Sequence, residues 1–238
     1  MKQALRRFWA TFEHLPSAWL LCLQLLILIL SVLAYESVSY RAVTWVLGVL
    51  VLLVIAKVIR QTPMFTILGL TFVAGAIFFS SLIALGIQDN WIHITANLFE
   101  ASAYFSAAYG LLSYMFHDRY LTKDELFAAG AVFTLLAWGF AFLYSICQLL
   151  VPYSFAHPDL HAYQPWLDLL FLSFSVQSAT GLSDLMPVSP IARMLAIIQM
   201  FFGVMYLALI VSRLIALQYI AYIPPKKKHQ KQDKNTSP

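Results

Sequence analysis

Charged residues are scarce in this chain: Asp, Glu, Lys and Arg make up 11% of its 238 residues, against 61% that are hydrophobic. So little polar surface cannot clothe a water-soluble globule, which excludes the soluble classes and leaves the membrane. Cysteine is nearly absent. Cys22 and Cys147 both lie inside apolar runs, which argues against a disulfide framework or a cysteine metal site and leaves them as small packing residues. His157, Asp159 and His161 alternate in one loop, but with no further ligand in sight they read as an exposed turret and not as a metal centre. Histidine is missing from the last apolar stretch, and His229 in the tail is the only one after Ser183. An intramembrane serine protease using Ser183 of Gly181-Leu-Ser-Asp184 would therefore lack the base that activates its nucleophile. No apolar stretch carries arginine at every third position, so voltage sensing by a moving charged helix is excluded. No internal repeat points to an inverted-repeat transporter.

What the chain has is long apolar runs. Six of them, at about 16–35, 42–59, 64–86, 94–117, 125–151 and 190–220, can each cross a hydrocarbon core that needs about 20 helical residues. A seventh, 165–178, is too short to span and fits a re-entrant helix sheltered by protein. No small-residue cleavage site follows the first run, so it is not a removable signal. With the N-terminus inside, Lys2, Arg6, Arg7, Lys57, Arg60, Arg119, Lys123, Arg213 and the five tail lysines fall on the inner side. Only Arg41 and Arg193 fall outside. Positive charge stays on the cytoplasmic side of short loops, so the expectation is a multi-pass inner or plasma membrane protein with both termini cytoplasmic and the 152–189 loop outside.

Three regions follow: residues 1–117 as a four-helix transmembrane region without sensor arginines, 118–223 as a helix, pore loop and helix, and 224–238 as a disordered basic tail. The 117–124 connector marks the first boundary, where Thr122 and Glu125 resemble a capping box opening the fifth span. The tail lysines suit an inside anchor and an anionic lipid partner.

Within the second region the order is span, outer loop, short helix, filter-like strand, outer turn, span. Pro165-Trp166 opens the short helix, Ser173-Phe-Ser-Val leads into the strand, and Asp184 and Pro187-Val-Ser-Pro-Ile-Ala-Arg193 lead out of it. This stretch, about 95 residues from 125 to 220, resembles the two-helix pore unit of potassium channels, and with four helices ahead of it the chain resembles bacterial six-helix ion-channel-domain proteins. The resemblance implies an all-α membrane protein with six spanning helices and a re-entrant pore helix. It also implies a homotetramer in which four backbone-carbonyl strands replace an ion's hydration shell. No cofactor, bond chemistry or nucleic-acid partner is implied; the permeant species is potassium or another monovalent cation.

Aligned backwards from Asp184, the family's Thr-Val-Gly-Tyr-Gly falls on Ala179, Thr180, Gly181, Leu182 and Ser183, so the selectivity filter is expected at Ala179–Asp184 with Ser175 and Ser178 in the pore helix behind it. Only Gly181 keeps the family residue. Ala179 lacks a hydroxyl, Leu182 lacks the aromatic that braces the filter, and Ser183 replaces a left-handed glycine at a cost of roughly 1–2 kcal/mol. Ser183→Gly is on that reading expected to favour potassium over sodium. A non-selective cation channel and a non-conducting relative are the alternatives.

Three further residues carry expectations. Glu100, one turn from Asn97, is an ionisable group within a span, satisfied by hydroxyls near it such as Ser102 and Tyr104 or functional in its own right. Gly203 is either a hinge of the inner helix or a close-packing site. Arg213 is expected to snorkel to the inner interface and not to line the pore.

Overall fold

The computed structural model describes residues 16–34, 50, 53, 66–87, 89–117, 123–156 and 162–221. The N-terminal cations, nearly all of the expected second span 42–59, the 118–122 connector with Thr122, the turret residues His157, Asp159 and His161, and the basic tail lie outside the described residues. Six helices are described: α1 Pro16–Ala34, α2 Thr66–Ala84, α3 Asn90–His117, α4 Lys123–Leu150, α5 Trp166–Gln177 and α6 Pro190–Ala221. Two short strands, β1 Phe155–Ala156 and β2 Met186–Pro187, pair antiparallel with Phe155 opposite Pro187. This ladder is an addition to the expected all-helical chain.

Among the described residues three helices are long and apolar enough to cross a membrane, through Ile67–Ala84, Asp124–Leu150 and Pro190–Arg213. The apolar part of α1 is shorter, Ser17–Leu30, and α3 is diluted by Asn90, His93, Asn97 and Glu100.

Helix α4 is the hub. It packs on α1, α3, α5 and α6, while α2 packs on α3. Ala103, Ala107 and Ala108 of α3 are buried in one cluster with Ala128 and Ala131 of α4. Small side chains let two backbones approach, which is how helices gain contact energy where lipid is as apolar as leucine. Aromatic rings fill the space beside that seam, Tyr104 stacking on Trp138 at 5.9 Å. The start of α1 is tied to the start of α4, because the Ser17 amide and hydroxyl both donate to the Asp124 carboxylate at 3.3 and 3.0 Å. An otherwise orphan first-turn N–H is satisfied in this way, and the N-terminal ends of α1 and α4 share one end of the molecule.

Two expectations about polar groups are corrected. The hydroxyl that satisfies Glu100 is Ser80 of α2, donating at 2.7 Å. Ser102 instead bonds back to the Leu98 carbonyl within its own helix, as serines in apolar helices do when no acceptor faces them. Asn97 donates to Ser145 of α4 at 3.0 Å. Arg213 does not simply reach for the interface: its guanidinium donates to the Met115 carbonyl, lies 3.7 Å from the Glu125 carboxylate and sits 5.0 Å from the Phe116 ring centre. The C-terminal part of α6 is thereby clasped to the end of α3 and the start of α4. Glu125, expected as half of a capping box, faces this arginine.

One face of α6 is buried, through Ala192, Ala196, Gln199, Tyr206 and Ile210, at the alternating three- and four-residue spacing of a helix stripe. The other face stays open, with Ile197, Phe201 and Val204 each more than half exposed.

Candidate functional site

Helix α5 spans 12 residues, or about 18 Å of rise, too short for a bilayer. Pro165 is its N-cap, with φ −56° and ψ 151°. Trp166 then packs its ring 4.3 Å from Phe142 and 6.2 Å from Trp138, locking the entrance of α5 onto α4. The chain reaches α5 through Gln164, whose backbone amide and carbonyl are both held by the Gln148 side chain at 2.8 and 3.2 Å.

The other end of α5 organises the loop. Ser178 is the C-cap and donates its amide to Phe174. Ala179 takes φ 57°, its amide reaches the Val176 carbonyl at 3.2 Å, and the Thr180 amide reaches the Ser175 carbonyl at 3.1 Å. These are the two bonds of a Schellman cap, whose left-handed position is normally glycine. Ala179 thus closes α5. The left-handed residues of the loop are Ala179 and Gly181, at φ 65°, while Ser183 is not among the positive-φ residues. The strain expected at Ser183 falls four places earlier, on Ala179, because the cap geometry is counted from the end of α5 and not from Asp184. Ala179→Gly is accordingly expected to gain up to about 1 kcal/mol, read as a higher thermal-unfolding midpoint in detergent. Ser183→Gly relieves nothing and forfeits a bond, since the Ser183 hydroxyl accepts the Leu185 amide at 3.2 Å.

Ser175 holds both ends of the loop. Its carbonyl accepts the amides of Thr180 and, at 3.4 Å, Gly181, and its hydroxyl accepts the Ser183 amide at 3.1 Å. In a planar trans peptide the C=O of one residue points opposite to the next N–H. Amides 179, 180, 181 and 183 are turned toward α5, so the carbonyls of Ser178, Ala179, Thr180 and Leu182 point away from it. Thr180, Gly181 and Leu182 are exposed, Leu182 by 72%, as is Asp184 beyond them. Leu182 therefore stands clear of its own chain, and the Ser175 hydroxyl is what supports the loop from behind. The exit is hooked to the turn after α4 by β1 and β2 and by the Val188 amide on the Ser154 carbonyl at 2.9 Å.

Beneath the loop lies a polar network that the sequence reading missed. Gln199 of α6 accepts from the Tyr144 hydroxyl at 2.6 Å, and its amide nitrogen is 2.6 Å from the Ser173 hydroxyl, 3.0 Å from the Ser173 carbonyl and 3.2 Å from the Gln177 side-chain oxygen. Gln177 donates on to the Phe133 carbonyl at 2.7 Å, and Ser173 to that of Ala137 at 2.6 Å. The available signal was Gln199 itself, an amide in the middle of an apolar span that must find partners or stay unsatisfied in hydrocarbon. Gly203, one turn on, abuts the Gln177 backbone: a Cβ there would lie 2.9 Å from the Gln177 Cα and crowd its carbonyl oxygen. Among the described residues no group of three His, Cys, Asp or Glu could hold a metal ion.

The arrangement is a helix that enters, stops, and hands the chain to a short loop with one-sided carbonyls between two apolar helices. No curated protein and no solved structure matches the chain. Residues 128–218, from the first turns of α4 to near the end of α6, match the family model described as "Ion channel".

Proposed function

We propose that the protein is one subunit of a homotetrameric cation channel that prefers potassium, conducting through the loop from Thr180 to Ser183. The observation that carries this reading is the set of carbonyls turned away from α5 in an exposed loop. Such oxygens, repeated around an axis, can replace the hydration shell of a monovalent cation. The open apolar face of α6 supports assembly, since one copy supplies only one strand of a filter. Six spans with both termini cytoplasmic, α1 and α4 starting on the inner side, accord with the shared end that Ser17 and Asp124 define. Transport of this kind is driven by the ion gradient and forms no covalent bond, so we read the protein as a channel and not an enzyme.

A second reading, a poorly selective cation channel, is favoured by the cap. With Ala179 held in the cap, within Thr180–Ser183 only the carbonyls of Thr180 and Leu182 lie opposite amides bonded back to α5, and fewer oxygen layers discriminate less between sodium and potassium.

The test is cation flux from liposomes containing the purified protein. A potassium gradient is expected to drive flux, and reversal potentials in mixed sodium and potassium separate the two readings. A strictly monomeric protein, or a tetramer that passes neither ion, would overturn both.

A further inference from the structure

We propose that Gln199 is a positioning residue for the conducting loop: its side-chain amide sets where α5 ends and so where the carbonyls of Thr180 to Leu182 stand. The inference rests on the channel reading for its functional meaning but not for its geometry.

Gln199 is fully buried, as are Tyr144, Ser173 and Gln177 around it, each 1% exposed or less. The hydrogen bonds run in one direction. The Tyr144 hydroxyl donates to the Gln199 oxygen; the Gln199 amide donates to Ser173 and Gln177; Ser173 and Gln177 donate to the carbonyls of Ala137 and Phe133. One side chain of α6 thus joins α4 to two successive turns of α5. A leucine or methionine would fill the same volume, but apolar packing tolerates small rotations of one helix on another and a directed network does not.

Gln177 is the last helical residue of α5, three positions before Thr180. Helix α6 grips it twice, by the Gln199 amide on its side chain and by Gly203 against its backbone. From there the Schellman cap and Ser175 pass its position to the loop within a few residues. Any rotation of α6 near 199–203 must therefore move the end of α5 and turn the loop carbonyls with it. Ion discrimination and the orientation of the inner helix are coupled through this amide.

The experiment uses the full chain in lipid nanodiscs and compares wild type with Gln199→Met and with Tyr144→Phe, which removes one bond and leaves α5 and α6 in contact. Hydrogen–deuterium exchange of a peptide covering 178–186 is read against peptides from α1 and α3. Gln199→Met is expected to speed exchange in that peptide at least tenfold with α1 and α3 unchanged, and Tyr144→Phe to do so by a smaller factor. A role confined to stability would speed exchange everywhere. Unchanged exchange of 178–186 in Tyr144→Phe, or in a folded Gln199→Met, would overturn the proposal, whether or not the protein conducts. In liposomes the same variants are expected to change the potassium-to-sodium permeability ratio at least threefold. Absent flux from wild type would instead count against the channel reading alone.

Discussion

Gly203→Ala is expected to lower stability by about 1–3 kcal/mol, the usual cost of forcing extra atoms into a packed interior, and to suppress cation flux. The added methyl meets the Cα, carbonyl carbon and carbonyl oxygen of Gln177, which are backbone atoms and cannot swing aside. Either α6 moves off α5 or Gln177 moves into the loop. The sign of the stability change separates packing from hinging. If Gly203 served only as a bending point, alanine would raise the unfolding temperature, because it is better than glycine within a helix by about 1 kcal/mol. A lower midpoint in detergent, together with lost flux from an otherwise assembled protein, is the outcome the close approach requires. α6 is described as one unbroken helix through this position.

Arg213→Met is the second large effect. Glu125 is 1% exposed and Arg213 14% exposed, so the variant leaves a carboxylate in an apolar setting without its guanidinium. Removing one partner of a buried pair costs about 3–5 kcal/mol, whereas replacing both can be nearly neutral. The expected result is a fall of roughly 6–20 °C in the thermal-unfolding midpoint, using about 2–4 °C per kcal/mol for a chain of this size. Arg213→Met combined with Glu125→Gln is expected to recover most of it. A single variant as stable as wild type would show that the clasp between α6, α3 and α4 contributes nothing. The Met115 carbonyl also loses a donor in both variants, so full recovery is not expected.

The long elements were legible in the chain because apolar length is a property of composition. A fifth span read at 125–151 is α4 at Lys123–Leu150, a short helix read at 165–178 is α5 at Trp166–Gln177, and the last span begins at Pro190 as its Ser-Pro start suggests. The matched segment 128–218 coincides with the region whose motifs carried the resemblance. What could not be read was anything decided between elements. Counting back from Asp184 assigned left-handed geometry to Ser183, but a helix end also dictates conformation, and the Schellman cap placed it on Ala179. The partner of Glu100 proved to be Ser80, 20 positions away in the preceding helix, where local spacing has no reach. Gln199 was passed over because a single amide in an apolar run shows only that partners must exist, and the partners come from α4 and α5. Arg213 was judged from its depth near an inner end, while its position is set by a carboxylate and a carbonyl on other helices.

Ser175 touches the loop at both ends, through its own carbonyl and its own hydroxyl, and the hydroxyl bond joins it to a residue eight positions further on. Two fixed anchors on one residue act as a ruler. An inserted residue between Ala179 and Ser183 would have to bulge outward into the space the carbonyls face, and a deleted one would pull the Ser183 amide off its hydroxyl. The exposed Leu182 side chain is free to drift, while the Thr180 hydroxyl meets that of Ser178 at 3.0 Å and the Ser183 hydroxyl accepts the Leu185 amide at 3.2 Å; the number of residues is fixed by the backbone bonds to Ser175. Variation in this loop should therefore accumulate as substitution and not as change of length.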